Sequence, residues 1–140
     1  MSQKRYRGAA CTHMLARIYV RADMANYSTA ELLVTLAEPT RLRILNCLAA
    51  APLFVSDLQL VLGLPQSTVS RHLQVLRKAE LVRDTPVAQY MLYRLRRDLG
   101  VHGRLLSIVL DAVVVDDREM RAERERAADR SRSHTSKRLP

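Results

Sequence analysis

Tryptophan is missing from this sequence, phenylalanine occurs once, and five tyrosines complete the aromatic set among 140 residues. A core with so few rings has to be assembled from Leu, Val, Ile and Ala, which favours helices packed on one another. Cysteine is nearly as scarce. Cys11 and Cys47 are too few and too far apart for a disulfide framework, and a chain of this length buries enough surface to fold without disulfide or metal. Glycine and proline are both low, which excludes collagen-like and low-complexity classes. No apolar run approaches the ~18 residues of a membrane span; the nearest, "SIVLDAVVV", is interrupted by Asp111. The opening "MSQKRYRGAACTHMLARIYV" is basic but lacks the continuous apolar stretch of a signal peptide. The expectation is a cytoplasmic protein with no membrane association.

What is abundant is positive charge. Lys and Arg number 23 against 14 Asp and Glu, a formal net charge of +9. Such an excess points to a polyanionic partner, nucleic acid first and anionic membrane second. The terminal segments lack the large aromatics and apolar face that membrane-surface binding needs. The charge is uneven: net +4 over residues 1–27, +3 over 28–115 and +2 over 116–140. These shifts suggest a basic N-terminal arm (1–27), a folded domain (28–115) and a charged, frayed or disordered tail (116–140). No internal repeat is visible.

Within the folded part, helices are expected at Thr29–Glu38, stopped by Pro39, and from Pro39 to the break at Pro52, with Leu42, Leu45, Leu48 and Ala49 at helical spacing. A third helix opens at Ser56, with Gln59 three residues on as in a capping box, and ends at Gly63. After Leu64–Pro65 comes a helix over Gln66–Ala79. Two short strands, "LVRD" and "QYMLYRL", follow with a turn near Thr85–Ala88, and Met91, Tyr93 and Leu95 alternate onto one face. A last helix, Leu99–Val115, carries more apolar surface than a three-helix domain covers by itself. The segment "DDREMRAERERAADR" is charged all round.

The helix after Gly63 holds the sharpest signal. At 100° per residue, Val69, Leu73 and Leu76 fall within about 60° and form a core stripe. Ser67, Ser70, Arg71, Gln74 and Lys78 fall within about 100° on the opposite side, and no carboxylate interrupts them. A solvated face normally mixes both signs. Short hydroxyls, an amide and two cations suit a DNA major groove, where Gln and Arg bond base edges and Ser and Lys hold phosphates. Helix, glycine turn, helix, then paired strands is the order of a helix-turn-helix with a β-wing.

The stretch "LAEPTRLRILNCLAAAPLFVSDLQLVLGLPQSTVSRHLQVLRKAELV", with the closing "YRL", closely resembles the ArsR (arsenical-resistance repressor) family of bacterial winged-helix regulators over Leu36–Leu95. The resemblance implies a mainly α fold with a small β-hairpin wing. It also implies a homodimer through terminal helices, bound to double-stranded DNA at a palindromic operator and released by a signal, often a metal or metalloid ion. Gln66, Ser67, Thr68, Ser70 and Arg71 match its groove-reading positions; Gln74 and Lys78 extend the face, and Arg83 at the wing base is placed to reach phosphate. Thr68 lies off the polar face, as a cap or phosphate contact. His72 matches a family histidine but sits near the core stripe, as a packed structural residue.

Three departures stand out. The family's metalloid thiolates sit in a motif like "ELCVCDL"; here "PLFVSDL" places Phe54 and Ser56 at the two cysteine positions, so three-coordinate arsenic binding there has no thiolates. Asp98, His102 and Asp111 do not match the spacing of the family's zinc site. The wing tip "DTPVAQ" has no glycine and one acid, Asp84, leaving Arg83 and Arg94 at its base. The basic arm (Lys4, Arg5, Arg7) could track a groove instead, or simply solubilise the chain. Cys47 reads either as a small buried hydrophobe or as a sensor that pairs with Cys11, by disulfide or by holding a soft metal or metalloid ion.

The leading expectation is a sequence-specific repressor and not an enzyme: no paired carboxylates, nucleophile–base pair or phosphate-cradling loop stands out. The alternative is an interaction module that keeps the fold without specific DNA readout. The inducing signal and operator are not legible.

Overall fold

The computed structural model describes residues 28–136, with side chains as far as His134. The chain runs α1 (Thr29–Leu36), α2 (Pro39–Ala50), β1 (Leu53–Phe54), α3 (Val55–Leu62), α4 (Gln66–Lys78), β2 (Val82–Val87), β3 (Tyr90–Leu95), α5 (Gly100–Asp116) and α6 (Arg118–Ser136). It is a mostly helical fold with a small antiparallel sheet of order β1-β3-β2.

Local chemistry explains most boundaries. Ser28 and Glu31 close a capping box on α1: the Ser28 hydroxyl accepts from the Glu31 N–H at 3.2 Å, and the Glu31 carboxylate accepts from the Ser28 N–H at 2.7 Å. The helix ends at Leu36, two residues before the expected Glu38, because Glu38 is taken as the N-cap of α2, accepting from the Arg41 N–H at 2.7 Å. Arg41 in turn donates from Nε to the Thr35 carbonyl at 2.8 Å, closing the end of α1. α3 starts one residue earlier than expected. Its cap is Phe54 rather than Ser56, with the Phe54 N–H bonded to Asp57 at 3.2 Å, so Asp57 does the work assigned to Gln59. Gly63, at φ +65°, ends α3 in the left-handed region that glycine tolerates best and turns the chain toward α4. α4 closes in a Schellman arrangement, with the Leu81 N–H reaching the Leu76 carbonyl at 3.0 Å and Glu80 at φ +58°.

The hairpin pairs Val82 with Leu95 through Val87 with Tyr90, leaving Ala88–Gln89 as the turn, tighter than the expected Thr85–Ala88. Pro86 is tolerated because β2 is the sheet edge. The two-residue strand β1, not expected from sequence, joins the far side of β3, with Leu53 opposite Tyr93. Of the alternating set, Tyr93 and Leu95 pack on the core while Met91 is exposed.

One core unites Leu32, Ile44, Leu45, Leu48, Leu58, Val69, Leu73, Leu76, Leu106 and Leu110. The largest departure lies beyond residue 116. Where a frayed or disordered tail was expected, α6 is a helix packed along α2, with Met120, Glu123 and Ala127 buried. Asp117 caps it, accepting from the N–H of Glu119 at 2.8 Å and of Met120 at 3.1 Å. Arg43 donates to both Glu123 oxygens, at 3.0 and 3.2 Å from Nε, and to the Leu62 carbonyl at 3.1 Å. The Asn46 amide donates to the Met120 carbonyl at 2.7 Å. The stripe at positions 120, 123 and 127 keeps helical spacing, but its middle member is a charge. Burial is possible because Arg43 neutralises it.

Candidate nucleic-acid interface

α4 is anchored by Val69, Leu73 and Leu76, each fully buried. The opposite face therefore points outward. Gln66, Ser67, Arg71, Gln74 and Lys78 are exposed, with Thr68 and Ser70 half-buried beside them. Fold geometry thus brings together on one helix seven of the eight residues read as DNA-binding. Arg71 has no protein partner among the described residues. The N-cap of α4 is Pro65, with no side-chain cap bond; the Thr68 N–H turns back to the Pro65 carbonyl at 3.1 Å, which leaves the N–H groups of Gln66 and Ser67 facing outward, a favourable place for a phosphate.

The eighth, Arg83, stands on β2 and donates to Asp98 at 3.1 Å, so it is already engaged within the chain. Arg77, at the end of α4, pairs with Asp84 of β2 at 3.0 Å, tying the wing to the helix. Arg94 is exposed and unpartnered among the described residues. The far end of the hairpin is apolar rather than basic, with Tyr90 and Met91 exposed. His72 lies half-buried with Nδ1 3.5 Å from the Glu38 carboxylate, in keeping with a packed position. Burial pushes the Glu38 carboxyl upward, but the N–H groups of Arg41 and Thr40, with His72 beside them, bring it below the ordinary range.

At the position of the family's thiolates, Phe54 stacks edge-on against Tyr90 of the wing at 6.0 Å and against His134 of α6 at 5.4 Å. Beneath it the fully buried Asp57 accepts from Arg130 at 3.1 Å and contacts His134 Nε2 at 2.8 Å. These residues do not fit a soft metalloid. Asp98 is engaged by Arg96 and Arg83, and His102 meets Thr29 at 3.3 Å, so the Asp98–His102–Asp111 set is not gathered. Among the described residues no three His, Cys, Asp or Glu side chains form a metal-holding group.

Cys47 is fully buried in the α2 core, free of disulfide. Desolvation first, then the nearby Glu123 charge, pushes its thiol up to about 12. That is the environment of a small hydrophobe, not of a reactive thiolate. Cys11 and the basic arm with Lys4, Arg5 and Arg7 lie outside the described residues. Sequence reading missed Asp57, Arg43, Glu123, Arg130 and His134; the signal that could have found them is the 120–123–127–130–134 helical spacing, disguised by its charges.

A helix-turn-helix followed by a paired-strand wing defines the winged-helix class. Residues 38–84 match the family model of bacterial regulatory proteins of the arsR family. The transcriptional repressor SmtB homolog of Synechocystis is 38% identical over 66 residues, 47% of this chain and 50% of that protein. The HTH-type transcriptional regulator NmtR of Mycobacterium tuberculosis is 42% identical over 73 residues, 52% of this chain and 61% of that protein. The chain thus spans 50 to 61% of the length of these curated relatives. The crystal structure of the transcriptional repressor BigR from Xylella fastidiosa superposes with a TM-score of 0.57 at 25% identity, covering 74% of this chain and 96% of that one. Over its matched half, the chain is similar to ArsR/SmtB-type transcriptional regulators, and its fold is that of the winged-helix class.

Proposed function

We propose that the protein is a sequence-specific, dimeric DNA-binding repressor that leaves its operator in response to a signal. The single observation that carries this reading is the outward face of α4: Gln66, Ser67, Ser70, Arg71, Gln74 and Lys78 without a carboxylate among them, on a helix whose other side is locked into the core. Gln66 and Arg71 are placed to read base edges, Ser67, Ser70 and Lys78 to hold phosphates, and Thr68 and Arg83 to contact backbone at the margins. Its matched relatives carry the names of transcriptional repressors and regulators, which supports regulation over catalysis.

Dimerisation draws on the exposed Val101, Ile108 and Val115 of α5, seven residues apart on one stripe, and on Leu33 and Val34 of α1. Antiparallel self-pairing about Ile108 sets Val101 against Val115 across a dyad, the isologous contact that a two-fold dimer requires. A two-fold dimer calls for a (pseudo)palindromic operator with half-sites about one helical turn apart. Burial of Cys47 weighs against a thiol signal through Cys11 and Cys47.

The test is binding of the reduced protein to DNA from upstream of its own gene and to a scrambled duplex, over a series of salt concentrations. Tight, selective binding supports the repressor. Equal, steeply salt-dependent binding to both duplexes would leave an interaction module with general DNA affinity. Arg71→Ala is expected to cost ~1–3 kcal/mol and relax sequence preference; unchanged affinity and preference would remove α4 from the groove.

A further inference from the structure

A cavity of about 430 Å³ opens where the wing meets the helices, bounded by Ala49 of α2, Leu95 at the end of β3 with Arg96 and Arg97 of the connector after it, one side of α5 and Arg124 of α6. Its volume falls in the range of small-molecule sites. The apolar part of the wall is supplied by Ala49, Leu95, Leu106 and Leu110. The polar part is Ser107 and four arginines, Arg96, Arg97, Arg104 and Arg124, and no carboxylate lines it. Gly103 lets the connector lie this close, since a Cβ there would stand 3.3 Å from the Leu99 Cβ and 3.6 Å from the Arg97 carbonyl.

The four cations are not equivalent. Arg96 is buried and already satisfied, by Glu80 and by Asp98 at 3.1 Å, so it is part of the wall. Among the described residues Arg124 has only a long contact, 3.7 Å, to Asp111. Arg97 and Arg104 have no hydrogen-bond or ion-pair partner among the described residues. They share that state with Arg71 and Arg94, whereas Arg41, Arg43, Arg77, Arg83, Arg121, Arg126 and Arg130 have each found a carboxylate or a carbonyl. A neighbouring cavity shares Leu95, Arg96 and Arg97 and continues to Arg94 at the wing base.

We infer that this cavity binds a small organic anion, a carboxylate or phosphate ester on an apolar body. The anionic group sits between Arg97, Arg104 and Arg124, and the body lies on Leu106 and Leu110. Guanidinium pairs hold carboxylates and phosphates in two-pronged fashion, and the partly enclosed wall strengthens that attraction. An occupant touches the connector to the wing on one side and α5 on the other. It therefore biases the geometry between the groove-reading unit and the dimer face, which makes it an effector; that role, unlike occupancy itself, rests on the repressor reading above.

The experiment uses the full chain without DNA and three probes of one shape: benzoate, phenyl phosphate and the neutral benzyl alcohol, followed by calorimetry and by amide shifts of 15N-labelled protein. Benzoate and phenyl phosphate are expected to bind at roughly millimolar Kd or tighter, shifting Gly100, Gly103 and Ser107. Arg97→Ala with Arg104→Ala should weaken them roughly tenfold or more, with thermal stability unchanged because both side chains are exposed. Benzyl alcohol binding equally well, shifts elsewhere, no binding by any probe, or full affinity in the double variant would each overturn the site. A second arm measures operator binding. Loss of DNA affinity in the probe-free double variant would reassign the arginines to DNA backbone, whereas a chain that binds benzoate but no operator would keep the site and sink only the repressor reading.

Discussion

At the scale of single residues, the same chemical type takes opposite roles according to what surrounds it. Arg71 and Arg43 follow a helix-opening proline by six and four residues, yet Arg71 is free among the described residues on the outward face of α4 and Arg43 is spent on Glu123. Sequence separated the first from its neighbours because a wheel shows a missing carboxylate. It could not show the second, whose partner is 80 residues away. Cys47 is the clearest case of an open choice narrowed by burial. Its thiol, raised to about 12, favours the protonated form in the fold. The stabilisation is complete below the ordinary thiol range near ~8.5 and is lost as pH climbs from there toward the folded value. Cys47→Ala should therefore flatten the alkaline fall of stability, seen in denaturant midpoints between about pH 8 and 10. Iodoacetamide at neutral pH should leave Cys47 unlabelled in the native protein and label it once unfolded; rapid native labelling would restore the sensor reading.

At the scale of elements, the helices were legible wherever an apolar stripe met a polar face, and the caps set their limits to within a residue or two. The wing was legible as a hairpin but not in its turn. Ala88 stands at φ +54° where a β-turn of this kind favours glycine or asparagine. Ala88→Gly is expected to relieve about 1 kcal/mol of left-handed strain, readable as a higher denaturant midpoint, unless the added freedom of the unfolded chain cancels it. A lower midpoint would mean that the turn is held by contacts of the methyl group. β1 was illegible because two residues carry no period. Its existence depends on β3 offering an open edge beside Leu53 and Phe54.

At the scale of the whole molecule, α6 shows where pattern reading fails. A helix counted as charged on every side buries Glu123 against Arg43 and sends Arg130 and His134 to Asp57. Removing one member leaves a buried charge, so Arg43→Ala should cost about 3–5 kcal/mol, and adding Glu123→Leu should return much of it; thermal or urea unfolding of the three variants decides. Ile108→Asp, at a position 66% exposed, should yield monomers in sedimentation with monomer stability little changed. If the protein stays dimeric, α5 is not the seam. The contacts of α6 also bear on the order of assembly. They join residues 80, 74 and 77 positions apart, Arg43 with Glu123, Asn46 with Met120 and Asp57 with His134. Closing such loops is entropically late, so α1–α4 and the wing are expected to take shape before the last helix docks. Weakening α6 should then hasten unfolding while leaving the folding rate almost untouched.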